Sequence, residues 1–449
     1  DMPCWEPALG DILRVGVAAV DITPPVGVDL SGFGGRASGS TGIHDPLFAK
    51  ALVLDDGKTA VGIITTDLIG VPASAVAAVR EGVAARTDVP GDHVMVTASH
   101  THSGPCTSVL RALGEPDQHY CALLTGKLIG VAETAAHARE EAFIGSHRGD
   151  VQLGINRRER AADGAIRLGS NPSGPTAPYV DVVCAFDAGG QPRGVLFTHA
   201  AHPVVLGGDN LLVSADYAGY AQAFVSRAWP AAPIALFAQG CCGNINAHRR
   251  GSFAEAERLG DTLGAEVVKC VEMALPTEDV RLAAAKRTVE LPLDDPPPAA
   301  ETEAELERHK EELAKAIANA ESRGRVVLRK GLVEWAQEVL ALSRAGATGL
   351  RQPFEVQAFR MGDVAWIGLP GEVFVEYQRA IDKLSPFRHQ FVFGYANGCV
   401  GYVPTAAAFE QGGYEVVDAI RYYGRTMLTP ECERLVLEAA TETLSSLGA

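Results

Sequence analysis

Apolar runs of strand length recur from one end of this chain to the other. Each breaks off into polar residues and most are followed by helical periodicity, an alternation that confines the chain to α/β architectures. Runs at 14–21, 51–55, 60–67, 93–97, 180–187, 194–199, 233–238, 280–293, 354–360, 363–369 and 390–395 read as strands, while 71–85, 121–142, 214–229, 253–274, 373–384 and 430–447 carry helical spacing. The stretch 145–169 is polar, with 154–158 a candidate polar loop. Composition changes at 301–320, which is charge-rich with Leu306, Leu313 and Ile317 on one face, and 330–342 follows with Leu332, Ala336, Val339 and Leu342. This predicts a helical hairpin turning near Gly324 and inserted at 299–345. Its charged face is a solvated surface, the wall of a cleft or a subunit contact in a homo-oligomer. The expectation is one α/β domain over 1–449, built on a mixed sheet, with no internal repeat.

Charge and composition exclude several classes. A formal net charge of −16 with no clustered Lys/Arg stripe argues against nucleic acid as a partner. No stretch has the apolar length of a membrane span, and the opening Asp1-Met2-Pro3-Cys4-Trp5 lacks a charged-then-apolar signal pattern. The nine cysteines are scattered, without a CxxC pair at structural-zinc spacing, and read as reduced core residues, which favours a cytoplasmic setting.

The residues that stand just past the apolar runs carry the chemistry. Ser99-His100-Thr101-His102-Ser103-Gly104-Pro105 follows the 93–97 run. In extended chain, residues two apart share a face, so His100 and His102 are expected to point the same way. His202 follows 194–199, Asn244 and Asn246 follow 233–238 in a glycine-framed turn, Glu372 follows 363–369, and Tyr402 lies in the last loop. Taken singly, each has a plainer use: a turn histidine, a helix first-turn carboxylate, a core tyrosine. Strand ends on one edge of a sheet converge, however, and two histidines with a carboxylate form a hydrolytic zinc set that leaves a position for water. The loops 31–36, 207–210 and 246–251 supply candidate substrate contacts, with Arg249 and Arg250 adding positive charge.

With these pieces in order, the chain resembles the neutral ceramidase family in its large catalytic domain. The resemblance rests on Ala19-Val20-Asp21-Ile22-Thr23, Thr41-Gly42-Ile43-His44, the 99–105 run, His202-Pro203 and Ser214-Ala215-Asp216. It continues through Phe237-Ala238-Gln239 with Gly243-Asn244, then Pro370-Gly371-Glu372, and Tyr402 with Thr405. It implies a zinc-dependent hydrolase that splits the amide of an N-acylated lipid. His100, His202, Glu372 and Tyr402 fall on the family's zinc ligands, and His102 on the histidine that contacts the scissile group.

Two departures shape the expectation. Where the family has a catalytic serine, this chain has Asn246, which cannot be a nucleophile. The chain also ends soon after Tyr402, leaving no room for the family's C-terminal immunoglobulin-like domain. The expected protein is a zinc hydrolase cleaving amides with water activated by the metal. His102 and Asn246 assist the reaction, Asn244 and Arg249 contact substrate, and the substrate is a small acylated molecule rather than ceramide. A zinc esterase or lactonase, and a non-catalytic zinc-binding protein, are the alternatives.

Overall fold

A computed structural model of the chain describes residues 13–107 and 109–448, so the opening pentapeptide and its expected lack of a signal lie outside the described residues. Three sheets carry the architecture. The first has the order Val94–Ala98, Ala60–Thr66, Phe48–Asp55, Arg14–Asp21, Glu140–Glu141. The second runs Ile234–Gln239, Pro192–His199, Tyr179–Phe186, Phe143–Asp150, Leu275–Pro276, and the third Leu282–Pro292, Arg351–Met361, Val364–Gly368, His389–Phe393.

Each sheet is antiparallel except for one parallel pair at an edge: Ala60–Thr66 with Val94–Ala98, Pro192–His199 with Ile234–Gln239, and Val364–Gly368 with His389–Phe393. Parallel neighbours need a crossover. The helices Ala73–Arg86, Asp216–Arg227 and Val375–Leu384 provide the three crossovers, giving three βαβ units. The expected single sheet edge is therefore corrected to three parallel pairs, one in each sheet.

Strand alternation explains how the sheets assemble. In the first, Ala49, Ala51, Val53, Ile64, Val94 and Val96 face the helices Ala73–Arg86 and Gln118–His137, while Leu52, Leu54, Val61, Ile63 and Met95 face inward. In the second, Val182, Cys184, Val195, Phe197 and Phe237 meet Asp216–Arg227 and Phe253–Met273, and Val183, Ala185, Leu196 and Leu236 turn inward. In the third, Phe354, Val356, Ile367 and Val392 pack under Val375–Leu384 and Cys432–Ser446, with Phe359, Trp366, Phe391 and Phe393 inward. Both faces of the strands in the parallel pairs are thus covered, which is why those strands read as apolar runs. The inward faces share one core.

Local reading failed where polar residues are buried. The helix expected over 121–142 ends at His137, and Phe143–Asp150 is a strand of the second sheet. Its polar character comes from residues such as Arg148, which donates to both Asp181 and Asp382. The expected polar loop at 154–158 belongs to the strand Gly154–Arg160, which pairs with Ile166–Asn171. The helices Ala299–Ala318 and Arg323–Arg344 pack against each other through Leu306, Trp335, Ala336 and Val339, but Ile317 is 61% exposed and the connection lies at 319–322. Gly324 sits in the second helix's first turn, where its amide bonds Arg36 O. The eight described cysteines are all free, and none of the described helices is long and apolar enough to cross a membrane.

Trp366 is fully buried where the three inward faces meet. Trp366→Ala should cost roughly 3–5 kcal/mol of stability, read as a lowered midpoint in chemical denaturation, whereas replacement of exposed Ile317 by Ala should change it little.

Candidate metal centre

The carboxyl ends of the three parallel pairs converge on one buried cluster. His100 follows Val94–Ala98, His202 follows Pro192–His199, and Glu372 opens the two-residue strand Glu372–Val373, which pairs with Tyr402–Val403 in register Glu372↔Tyr402. His100, His202 and Glu372 are each 2% exposed or less, while His102 is half-buried. The two histidines of the 99–105 run do meet, with Nε2 atoms 3.2 Å apart. Strand alternation is not the reason: His100 has φ +64°, a left-handed backbone that turns the chain. Gly32 makes room for His102, since a Cβ there would stand 2.4 Å from the ring.

The backbone fixes which nitrogen of each ring faces the centre. His100 Nδ1 donates to Ile69 O at 2.7 Å and His202 Nδ1 to Cys242 O at 2.6 Å. Each ring therefore turns its Nε2 inward, an arrangement that orients imidazoles in metal sites. His202 Nε2 lies 2.9 Å from Glu372 Oε2, and His100 Nε2 lies 3.6 Å from the same oxygen. Burial pushes His202 down to about 4. Burial also raises the Glu372 carboxyl, but His100 and His202 more than offset it and hold the group well below the usual carboxylate range. Each Nε2 is thus the atom that serves the carboxylate, as a donor when it carries a proton or as a ligand when a cation takes the proton's place. Ligand atoms of His100, His102 and His202 all lie within 4.8 Å of one another, a group suited to a metal ion.

Around this cluster stand residues the sequence did not single out. Arg157, on Gly154–Arg160, is buried and donates from Nη2 to Tyr402 Oη at 2.9 Å, from Nε to Glu415 Oε1 at 2.8 Å and from Nη1 to Asn246 Oδ1 at 3.4 Å. Arg158 donates to the other Glu415 oxygen. Tyr423 Oη donates to Glu372 Oε1, and Tyr395 Oη lies 3.4 Å from Glu372 Oε2. The adjacent arginines fell in the expected polar loop, but only their distant partner Glu415, in the short helix Tyr414–Val417, explains their burial. Arg36, from the 31–36 loop, clamps the His102 carbonyl together with Leu30 O and Ser31 O.

The remaining sequence candidates separate. Tyr402 borders the cluster with its hydroxyl engaged by Arg157, and Asn246 stands beside the same arginine. Asn244 is fully buried, with Oδ1 accepting from Val375 N and Nδ2 donating to Glu376, so its amide ties the turn to the crossover helix. Gly243 lets that turn press on Glu372, whose carbonyl oxygen would lie 2.3 Å from an added Cβ. Arg249 is exposed and 3.7 Å from Glu255, away from the cluster.

Fold and site together define a mixed α/β protein with a buried imidazole–carboxylate centre at the carboxyl ends of three βαβ units. Residues 13–274 match the family described as neutral/alkaline non-lysosomal ceramidase, N-terminal, and the chain belongs to that family. A neutral ceramidase of Pseudomonas aeruginosa is 27% identical over 267 residues, covering 54% of this chain and 38% of that protein, so the match spans well under half of the relative's length. The crystal structure of neutral ceramidase from Pseudomonas aeruginosa superposes with a TM-score of 0.72 at 20% identity, covering 98% of this chain and 76% of that one. A ceramidase complexed with C2 gives 0.74 at 19% identity, over 98% and 75% of the two chains.

The buried histidines set a pH dependence. His199, whose Nδ1 donates to Tyr179 O, is pushed down to about 4 by burial, as is His202. In the unfolded chain a histidine titrates near ~6.5, so between that value and about 4 the unfolded state binds protons that the native state refuses. Stability is intact above the unfolded value and is lost as pH falls through this window. The melting temperature of metal-free protein should drop from pH 7 to pH 4, and His199→Gln should make that drop shallower.

Proposed function

We propose that this protein is a zinc-dependent amide hydrolase, with His100, His202, Glu372 and Tyr402 holding the metal. The observation that carries the reading is the pair of imidazole Nε2 atoms turned onto the Glu372 carboxylate in a buried site, a donor set suited to zinc. Family membership points the same way. When bound, zinc would supply Lewis acidity and an activated water.

The chain's own residues supply the rest. His102, half-buried beside the ligand histidines, is placed to hydrogen-bond the acyl oxygen or to pass a proton to the leaving nitrogen. Arg157 holds Tyr402 and Asn246 in fixed orientation, and Asn246, unable to act as a nucleophile, serves as a polar contact to the substrate. Asn244, with its amide spent on Val375 and Glu376, shapes the turn. The paired helices Ala299–Ala318 and Arg323–Arg344 act as an insertion bordering the site, since Gly324 of the second helix bonds the 31–36 loop that carries the His102 clamp.

Ceramide-type N-acyl amides are the first substrates to test, because the relatives named above are ceramidases. The argument for a smaller substrate rests on loop composition and on Asn246. A hydrolysis screen across acyl length, with matched esters, decides both questions: steep preference for long, sphingosine-linked chains assigns ceramide, and ester cleavage without amide cleavage favours the esterase reading.

Two outcomes are expected from variants. Zinc, measured by elemental analysis, should be near stoichiometric in the parent and absent from His100→Ala and His202→Ala; retention of zinc by both would remove the ligand assignment. His102→Ala should keep its zinc but lose on the order of 10²–10⁴-fold in kcat, and mass spectrometry of rapidly quenched enzyme should find no acyl adduct.

A further inference from the structure

Tyr395 touches all three of the elements meeting at the centre. It follows the strand His389–Phe393 in a turn whose amides are distributed among the three sheets. Gly394 N bonds Gln239 O, Tyr395 N bonds Gly371 O, Ala396 N bonds Leu369 O, and Asn397 N bonds Val96 O, with Asn397 Oδ1 accepting in return from Val96 N. Those acceptors lie at or near the ends of the strands that lead to the Cys242 turn, to Glu372 and to His100.

The side chain repeats that pattern. The Tyr395 ring stacks on the His100 imidazole, centroids 4.0 Å apart and planes 23° from parallel. Its hydroxyl lies 3.4 Å from Glu372 Oε2 and 3.1 Å from Cys242 Sγ, and the carbonyl of Cys242 is the acceptor that orients His202. The residue is 1% exposed, and its φ is +53°. A bulky aromatic in the left-handed region is costly and persists only where its surroundings over-determine it, a pattern that clusters at functional sites. Glycine or asparagine would take this backbone more easily. Neither could provide the stacking face and the hydroxyl at once.

We infer that Tyr395 is a positioning residue that sets the spacing of His100, His202 and Glu372, its ring fixing the plane of one imidazole while its hydroxyl links the carboxylate to the turn that orients the other. The inference rests on the metal-site reading above.

The test uses the full chain with Y395F, which keeps the ring and removes the hydroxyl, and Y395L, which removes both. Zinc affinity is measured by competition with a chromophoric chelator, and ligand geometry by the visible spectrum of the cobalt-substituted protein. Y395L should weaken zinc binding roughly 10–100-fold and Y395F by less, with cobalt bands shifted in both, while metal-free Y395F melts with the parent. Unchanged zinc affinity and cobalt spectra in both variants would overturn the inference. Should Y395L not fold, Y395F alone decides. Should the parent take up no zinc, the functional reading fails on that result. Positioning is then read in metal-free, histidine-labelled protein, where the His100 ring protons should lie upfield in the parent and in Y395F through stacking on the aromatic ring. Their absence from that position in the parent would overturn the inference as well.

Discussion

Two imidazole Nε2 atoms turned onto one buried carboxylate, the nearer at 2.9 Å, define this protein. Such a contact holds only with something positive between nitrogen and oxygen, a proton or a metal cation. Burial disfavours the His202 imidazolium, while hydrogen bonding and charge from the two histidines favour the ionised Glu372 carboxylate. The carbonyls of Ile69 and Cys242 enforce the arrangement by occupying the other nitrogens, so each ring keeps its Nε2 turned to the carboxylate. The rest of the molecule serves to hold this cluster in place.

Three βαβ units supply the hold. A parallel pair places two strand ends side by side, and a helical crossover keeps the loops that follow on the same end. Each sheet contributes one such pair, and the shared core of Leu52, Met95, Leu196, Leu236, Trp366 and Phe393 locks the three together. Residues more than a hundred positions apart, such as His202 and Glu372, thereby meet at fixed distance. A close-packed core resists small displacement, and a metal site needs ligand atoms placed to a fraction of an ångström.

A second buried ionic group stands next to the first. Glu415 receives both Arg157 and Arg158, and Arg157 extends to Tyr402 and Asn246. Desolvating such a group is costly, and its net stabilisation is correspondingly small. Its value lies in orientation: a guanidinium bonded in three directions leaves the Tyr402 hydroxyl and the Asn246 amide little freedom. Asn246 therefore belongs to a hydrogen-bonded framework.

Much of this was legible in the chain itself. The apolar runs and helical periodicities located the strands and helices of all three βαβ units, because segments buried on both faces or one face must show it in their composition. The polar residues at the ends of those runs named His100, His102, His202, Glu372 and Tyr402. Other features left no local trace. The strand Phe143–Asp150 looked polar because Arg148 is neutralised by Asp181 and Asp382, and the strand carrying Arg157 looked like a loop because Glu415 lies 258 residues away. Tyr395 and Tyr423 are ordinary tyrosines in sequence, and only their contacts with His100 and Glu372 distinguish them. Sequence by itself determined which segments had to be buried and which polar residues would stand at their ends, since both follow from the transfer of side chains out of water. Tertiary structure decided that three sheets rather than one would bring those ends together, and which charges would cancel, because a partner across the core leaves no mark on the residues beside it in the chain.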